Sequence, residues 1–174
     1  MPSCAIVCIA KCEQDYIKEF VYYHRFIGIC RFFIYDNDGL PVGDPKSLSS
    51  ILKDESDCTI LTIPQMDHVI YAAYDHFVSQ VMPLSDIEWF AFIDLDEFIC
   101  PIKHKTIQEF LEEYGHHKAI GINWRLFSAD HNITKPDHVL SGYKKSKFND
   151  HIKTLAHKSA LTNAPTITVM LESA

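Results

Sequence analysis

The feature that most constrains the fold is an apolar run, Trp89–Ile93, that ends in acidic side chains. Asp94, Asp96 and Glu97 follow it within four residues. A continuous apolar run of this length is typical of a strand that is buried on both faces of a parallel sheet. In open α/β sheets, ligands bind at the carboxyl ends of such strands. We therefore predict that this strand delivers its carboxylates to a binding site.

Two aspartates one residue apart, Asp94 and Asp96, favour metal binding. They are poor strand formers and repel each other, so the stability of the fold gives little reason for the pair. Mg²⁺ and Mn²⁺ take one or two protein carboxylates and leave other positions for water and phosphate oxygens. The alternative is that these aspartates belong to a polar turn that follows the strand and caps the next helix. The motif is short, so the pair alone leaves both interpretations open.

Composition limits the class of protein. The chain has 174 residues, of which 47% are hydrophobic and 12% aromatic, which predicts one well-packed domain over residues 1–174. The net charge is −7, and no lysine or arginine block precedes residues 144–147, so a nucleic-acid partner is not expected. The sequence shows neither a signal peptide nor an apolar stretch long enough for a transmembrane segment. We expect a cytoplasmic protein, with peripheral attachment to a membrane left open.

Strands and helices alternate along the first two thirds of the chain. The other strands are predicted at Ala5–Ala10, Arg31–Tyr35, Cys58–Ile63 and Ala119–Trp124, with late strands at Lys153–Leu155 and Thr166–Leu171. Helices are predicted at Ile17–Ile27, which stops at Gly28, around Ser47–Lys53, at Gln65–Val81 and at Thr106–Tyr114. Strand-helix-strand units cross over right-handed and make the strands parallel. The expected fold is α/β, with a mostly parallel, Rossmann-like central sheet flanked by helices.

Polar residues also follow the first two predicted strands. Lys11 and Glu13 come after the first strand, and Asp36 ends the second. Because the carboxyl ends of parallel strands share one edge, we predict one acidic pocket there.

Four stretches, in order, carry the motifs of a known family. They are Lys11–Glu13 with Tyr16–Phe20 and Tyr23–His24, then Phe33–Asp38, then Trp89–Phe98, and finally Gly121–Phe127. They resemble the "KNE…YLxEWxxYH", "FYIYDN", "WxAFIDxDEF" and "NWRxF" motifs of the GT-A glycosyltransferases of family 92 and the related family 2-like group. Cys12 stands where that family usually has Asn. The resemblance covers roughly Ala5 to Leu155, and four ordered matches are far more specific than the aspartate pair alone.

The resemblance implies a GT-A fold and transfer of a sugar, with inversion, from a nucleotide-diphospho-sugar such as a UDP-sugar to a glycan or other hydroxyl acceptor. It implies Mn²⁺ or Mg²⁺ as cofactor, with Asp96 as the firmer ligand and Asp94 as a ligand or a ribose contact. Glu97 is expected to play a supporting structural role.

Other donor-side roles are less specific. The donor contacts expected are Lys11, Glu13, Asp36, Trp124 and Arg125. The alternative for Lys11 is that it is simply a solvated charge in a turn. The alternative for Glu13 is that its carboxylate interacts favourably with the N-terminus of the first helix. Trp124 is either a platform for a sugar ring or a core residue, and Arg125 contacts either phosphate or a nearby acid.

The acceptor side is less well marked. An inverting transfer needs a carboxylate base near the attacking hydroxyl, and the candidates are Asp130 and Asp137. Ordinary loop chemistry is the alternative for each. The family's later His-containing segment is absent, since residues 163–168 hold no His. We therefore expect His151 and His157 to replace that histidine as metal ligands.

The chain ends at Ala174, short of the C-terminal portion expected in the family. The acceptor side from about residue 129 is then expected to be incomplete. A compact transferase, a shortened chain and an impaired nucleotide-sugar- or glycan-binding module all fit this ending. A nucleotidyltransferase is a weaker alternative, because no Gly-rich basic loop follows the first strand.

Overall fold

The structure, a computed structural model, describes residues 1–41, 43–63, 69–129 and 134–161. Within these residues, the strands are β1 (Cys4–Ala10), β2 (Arg31–Asp36), β3 (Cys58–Thr62), β4 (Trp89–Phe92), β5 (Ala119–Ser128) and β6 (Lys145–His157). The helices of the same part of the chain are α1 (Ile17–Phe26), α2 (Leu48–Ile51), α3 (Val69–His76), α4 (Ile107–Tyr114) and α5 (Val139–Gly142). The strands form one sheet in the order β3-β2-β1-β4-β6-β5.

The first four strands are parallel. β1 pairs with β2 on one side and with β4 on the other, and β3 pairs with β2. β6 runs antiparallel to both β4 and β5. All of β4 and nearly all of β1 are buried, as expected for strands that helices cover on both faces. The predicted fold class, α/β with a mostly parallel central sheet flanked by helices, is confirmed.

Helices lie on both faces of this sheet. On one face, α1, α2 and α4 place Phe20, Leu48 and Leu111 against the even-numbered side chains of β1. On the other face, α3 and the helical turn after it place Tyr74 and Phe77 against the odd-numbered ones. None of the helices in the described residues is long and apolar enough to cross a membrane.

The turn after α1 explains the predicted stop at Gly28. Gly28 has a φ of +103°, a left-handed conformation that favours glycine. The N–H of Ile29 donates to the carbonyl of His24 at 2.9 Å and closes the helix end. A Cβ at Gly28 would lie 2.0 Å from the side-chain oxygen of Gln108, so this turn also packs closely against α4.

The structure differs from the predicted elements in two places. The helix predicted over Gln65–Val81 is α-helical only to His76 and continues as a π-helical turn, Phe77–Val81; residues 64–68 lie outside the described part. The short strand predicted at Lys153–Leu155 belongs to the 13-residue β6. The strand predicted at Thr166–Leu171 lies outside the described residues.

Candidate active site

Three strands deliver polar side chains to one edge of the sheet. β1 lies between β2 and β4, and the segments that follow these strands meet at their carboxyl ends. The chain moves outward from β1 to β3 and then returns to β4 on the other side of β1, so the strand order reverses between β1 and β4. This is where open α/β sheets bind ligands.

Asp38 ties the end of β2 to the turn after β1. One carboxylate oxygen accepts a hydrogen bond from the N–H of Cys12 at 2.6 Å, and the other accepts from the side-chain amide of Gln14. The N–H of Asp38 donates to the carboxylate of Asp36 at 3.0 Å. Asp36 is buried, with 7% of its surface exposed. The predicted contact Asp36 thus lies at this edge and organises the turn that carries Asp38.

Cys12 has a left-handed backbone, with a φ of +61°. Asn adopts this conformation more readily than most residues, because its short polar side chain bonds locally. The structure therefore gives a physical reason for the Asn expected at this position.

Asp94 is held at its backbone N–H by Glu97 and at its carboxylate by Lys153. The N–H of Asp94 donates to the Glu97 carboxylate at 2.9 Å, which closes a tight turn around the acidic motif. The ammonium of Lys153, on β6, lies 2.6 Å from an Asp94 oxygen and 3.5 Å from a Glu97 oxygen. The supporting role predicted for Glu97 fits this geometry. Lys153 was not among the predicted site residues, because a single lysine in a polar strand carries no motif.

Asp96 is exposed and adds negative charge to its neighbours. The pKa of Glu97 is raised to about 7, chiefly by burial; the hydrogen bond from the Asp94 N–H and the charge of Lys153 oppose this shift, and the charges of Asp94 and Asp96 add to it. Burial, followed by the charge of Asp96, also raises the pKa of Glu13. Glu13 and Asp96 are therefore close enough for their charges to interact.

An aromatic cluster packs against the segment that follows the acidic turn. Phe98 stacks on His24 at 5.5 Å between ring centroids, and the hydroxyl of Tyr23 donates to the carbonyl of Ile99 at 2.8 Å. The resemblance matched Tyr23, His24 and Phe98 without assigning them a role. In the structure they anchor the segment that follows Asp96.

Trp124 lies beside Lys153 at the same edge. Its ring stacks on His151 at 5.1 Å, and the Lys153 ammonium lies 5.1 Å from the ring centroid. Within the described residues, the buried side-chain polar atoms without a hydrogen-bond partner are the Trp124 indole nitrogen and the Asn37 amide oxygen. Unpaired buried polar atoms are uncommon, and both lie at the edge that carries the acids. Arg125, next on β5, is exposed.

The structure does not bring every predicted residue to this edge. His157 pairs with Trp89, the first residue of β4, and Asp96 lies beyond the other end of that strand. The prediction of His157 as a metal ligand beside Asp96 is therefore wrong, because the antiparallel register directs it to the opposite edge. His151 lies on the correct side but contacts Trp124 and Asn149. Its role as a ligand stays a prediction.

The other predicted residues differ in how well the structure places them. Lys11 is exposed directly after β1. Asp137 lines a groove along α1 with Lys18 and Tyr22, and its role as base stays a prediction. Asp130 lies outside the described residues.

The carboxylates fit a cation that is shared with a phosphate ligand. Among the described residues, no group of three or more His, Cys, Asp or Glu side chains is arranged to hold a metal ion. Mg²⁺-type sites do not need such a cage, because they use one or two carboxylates, water and substrate phosphates. Asp94 and Asp96, with Glu13 near enough to interact with Asp96, suit that simpler requirement.

Comparison with known proteins assigns the family. The sequence profile of glycosyltransferase family 92 matches residues 71–168, which is more than half of the chain. The chain belongs to this family. The family 92 match contains the Asp94–Glu97 turn, β5 and β6, and so confirms the family predicted from the sequence motifs.

A curated relative and a solved structure agree with family 92 membership. A glycosyltransferase family 92 protein of rice, Oryza sativa subsp. japonica, is 28% identical over 119 residues, which cover 68% of this chain and 20% of the relative. The chain thus spans about one fifth of the length of the curated relative it matches. The crystal structure of S. aureus TarS residues 1–349 superimposes with a TM-score of 0.55 at 13% identity, over 91% of this chain and 48% of that one. This likeness shows the fold, and the predicted GT-A architecture is confirmed.

Proposed function

We propose that this chain forms the donor side of a glycosyltransferase that takes a nucleotide-diphospho-sugar, with a UDP-sugar as the leading candidate, and a divalent cation. Membership of family 92 supports the reaction class. The observation that carries the proposal is the convergence of Glu13, Asp94 and Asp96 at the point where the strand order reverses. A diphosphate with a bound cation is the ligand class that suits this concentration of carboxylates.

In the proposed transfer, the acceptor attacks the sugar directly, and the protein takes little part in making and breaking covalent bonds. The bond between the anomeric carbon and the β-phosphate oxygen breaks, and its electron pair stays on the nucleoside diphosphate. The acceptor oxygen bonds to the anomeric carbon from the opposite face, and its proton passes to a carboxylate base. When bound, Mn²⁺ or Mg²⁺ offsets the negative charge that develops on the leaving diphosphate.

The chain's own residues position the donor. Asp94 is held by Lys153 and by its own N–H bond to Glu97, so its carboxylate has a fixed direction. Asp96 is exposed, which suits a residue that meets the cation directly. Glu13 and Asp36 lie at the ends of β1 and β2, where the nucleoside is expected.

The proposal is tested by nucleotide release. The protein is incubated with Mn²⁺ and a panel of UDP-, GDP- and CMP-sugars, with and without hydroxyl acceptors, and the released nucleotide is measured. We expect release that depends on Mn²⁺ and that falls at least about 100-fold in Asp96→Asn. The matched control is Glu112→Gln, which removes an exposed carboxylate from α4; the residue after this helix, Gly115, lies beside Trp89, at the opposite end of β4 from Asp96.

The outcomes separate the candidate functions. Release that is lost in Asp96→Asn but kept in Glu112→Gln supports the transferase. Tight binding of a nucleotide-sugar without release would instead indicate a binding module. No binding of any nucleotide-sugar would contradict both.

A further inference from the structure

Lys153 meets the acidic turn although the two lie far apart in the sequence. Phe92, the last residue of β4, lies opposite Thr154 of β6, so Lys153 is one step beyond the paired part of β4. This register brings its ammonium to the end of β4 at which Asp94 and Asp96 leave the sheet.

The Lys153 ammonium is held on two sides. It lies 2.6 Å from Asp94, 3.5 Å from Glu97 and 5.1 Å from the centroid of the Trp124 ring. Only 19% of the Lys153 side chain is exposed, whereas 45% of Asp94 is. The positive charge is therefore fixed in direction but close to solvent. An ammonium has three N–H donors, so two carboxylates leave donor capacity for a further oxygen.

A purely structural role explains this arrangement poorly. The closer ion pair joins Lys153 to a half-exposed Asp94, and pairs with exposed groups contribute about 0–1 kcal/mol to stability, so the fold itself gains little from it. A lysine is better explained by an anionic ligand, because the ammonium is a compact charge that binds phosphate.

We propose that Lys153 contacts the diphosphate of the nucleotide donor and supplies positive charge to it alongside the cation. This inference rests on the proposed function and adds a substrate contact to it. The Asp94 and Glu97 carboxylates hold the ammonium at this end of β4 before the donor binds. Preorganised charge of this kind favours the leaving diphosphate without reorganisation during the reaction.

The test compares nucleoside diphosphates with monophosphates. Titration calorimetry measures the affinities of UDP, UMP, GDP and GMP in the presence of Mn²⁺ for the native protein, Lys153→Met, Lys153→Arg and the control Lys147→Met. Met keeps an unbranched apolar side chain of similar length but removes the charge. Lys147 is an exposed lysine on the same strand, opposite Leu126.

We expect the preference for diphosphate over monophosphate to fall about 10- to 100-fold in Lys153→Met, as loss of a charged hydrogen bond predicts. Lys153→Arg should restore most of it, and Lys147→Met should leave it unchanged. An unchanged preference in Lys153→Met overturns the role of Lys153 but not the proposed function. A native protein that binds none of the four nucleotides overturns both.

A second measurement uses the native protein alone and so does not depend on how the variants fold. An amine-acetylating reagent labels lysines according to their accessibility, and mass spectrometry follows the partly exposed Lys153 with the exposed Lys147 as internal reference. We expect UDP or GDP to slow the labelling of Lys153 more than UMP or GMP does. Equal protection by the mono- and diphosphates would overturn the proposal.

Discussion

The imidazole of His24 on α1 accepts a hydrogen bond from the backbone N–H of Ile99 at 3.1 Å, three residues after Asp96. Its other ring nitrogen lies 2.9 Å from the carbonyl of Phe20, to which it donates. One nitrogen accepts and the other donates, so the ring is neutral in the folded protein. His24 thereby couples the first helix to the acidic turn.

This neutral histidine predicts loss of stability in acid. Burial lowers the pKa of His24 from 6.5 to about 4. Below pH 6.5 the unfolded chain gains a proton that the folded protein does not accept until about pH 4. We expect this group to lower the free energy of unfolding by about 3 kcal/mol in total between those pH values.

The variant His24→Leu has no ionisable group at this position. Comparing its stability with that of the native protein isolates the contribution of the His24 titration. Urea unfolding at pH 7.5, 6, 5 and 4 should show native protein much more stable than the variant at pH 7.5, with the gap narrowing as the pH falls. A gap that stays constant over this range would contradict the neutral ring.

Cys12→Asn is expected to stabilise the protein. The left-handed backbone at Cys12 is strained for most side chains and less so for Asn, and Cys12 is exposed, so no packing is lost. We expect a gain of up to about 1 kcal/mol in the free energy of unfolding. Cys12→Val should lose stability, because a β-branched residue tolerates this conformation least. Thermal and urea unfolding check both, and a more stable Val variant would refute the argument.

Asp38→Ala is expected to loosen the turns after β1 and β2. The variant leaves the N–H of Cys12 and the amide of Gln14 without their acceptor. We expect a loss of about 1–2 kcal/mol in the free energy of unfolding, because hydrogen bonds to a charged group are worth about that much. Asp38→Asn keeps one acceptor oxygen and should lose about half as much. Unchanged stability in Asp38→Ala would show that the carboxylate does not hold these turns.

Asp96→Asn is expected to lose activity but not stability. Asp96 is exposed, and its charge raises the pKa of both Glu13 and Glu97, so its removal relieves repulsion. We expect an unfolding free energy that is unchanged or up to about 0.5 kcal/mol higher, together with the loss of nucleotide release. A variant that loses both would indicate a structural role. Melting temperature and turnover, measured on the same preparation, separate the two cases.

Much of the fold follows from local patterns. The strands β1, β2 and β4 were predictable because buried strands need continuous apolar side chains, and their ends were marked by carboxylates. The helix α1 follows from apolar residues three and four apart and from Gly28. The helix predicted to begin at Thr106 is also present as α4, and the Thr106 hydroxyl caps it by accepting from the N–H of Glu109 at 3.3 Å. The aspartate pair was recognisable because nothing in strand stability requires it.

The long strand β6 was not predictable in the same way. Most of its first eight residues are exposed, and they mix charged, polar and aromatic side chains without a period of two. Pairing with β5 stabilises this segment as a strand, and pairing partners leave no local signal. The error over His157 has the same origin, since sequence distance to the acids does not reveal which end of β4 it faces.

The sequence by itself determined that acidic side chains follow buried parallel strands at Asp36 and at Asp94–Glu97, because burial dictates the residue types of those strands. Only the tertiary structure decided which polar groups meet these acids. Lys153 lies 59 residues from Asp94 along the chain, and the antiparallel register of β6 brings them together and takes His157 away. A local pattern encodes how deeply a strand is buried, whereas contacts between distant polar side chains depend on a register that the whole sheet sets.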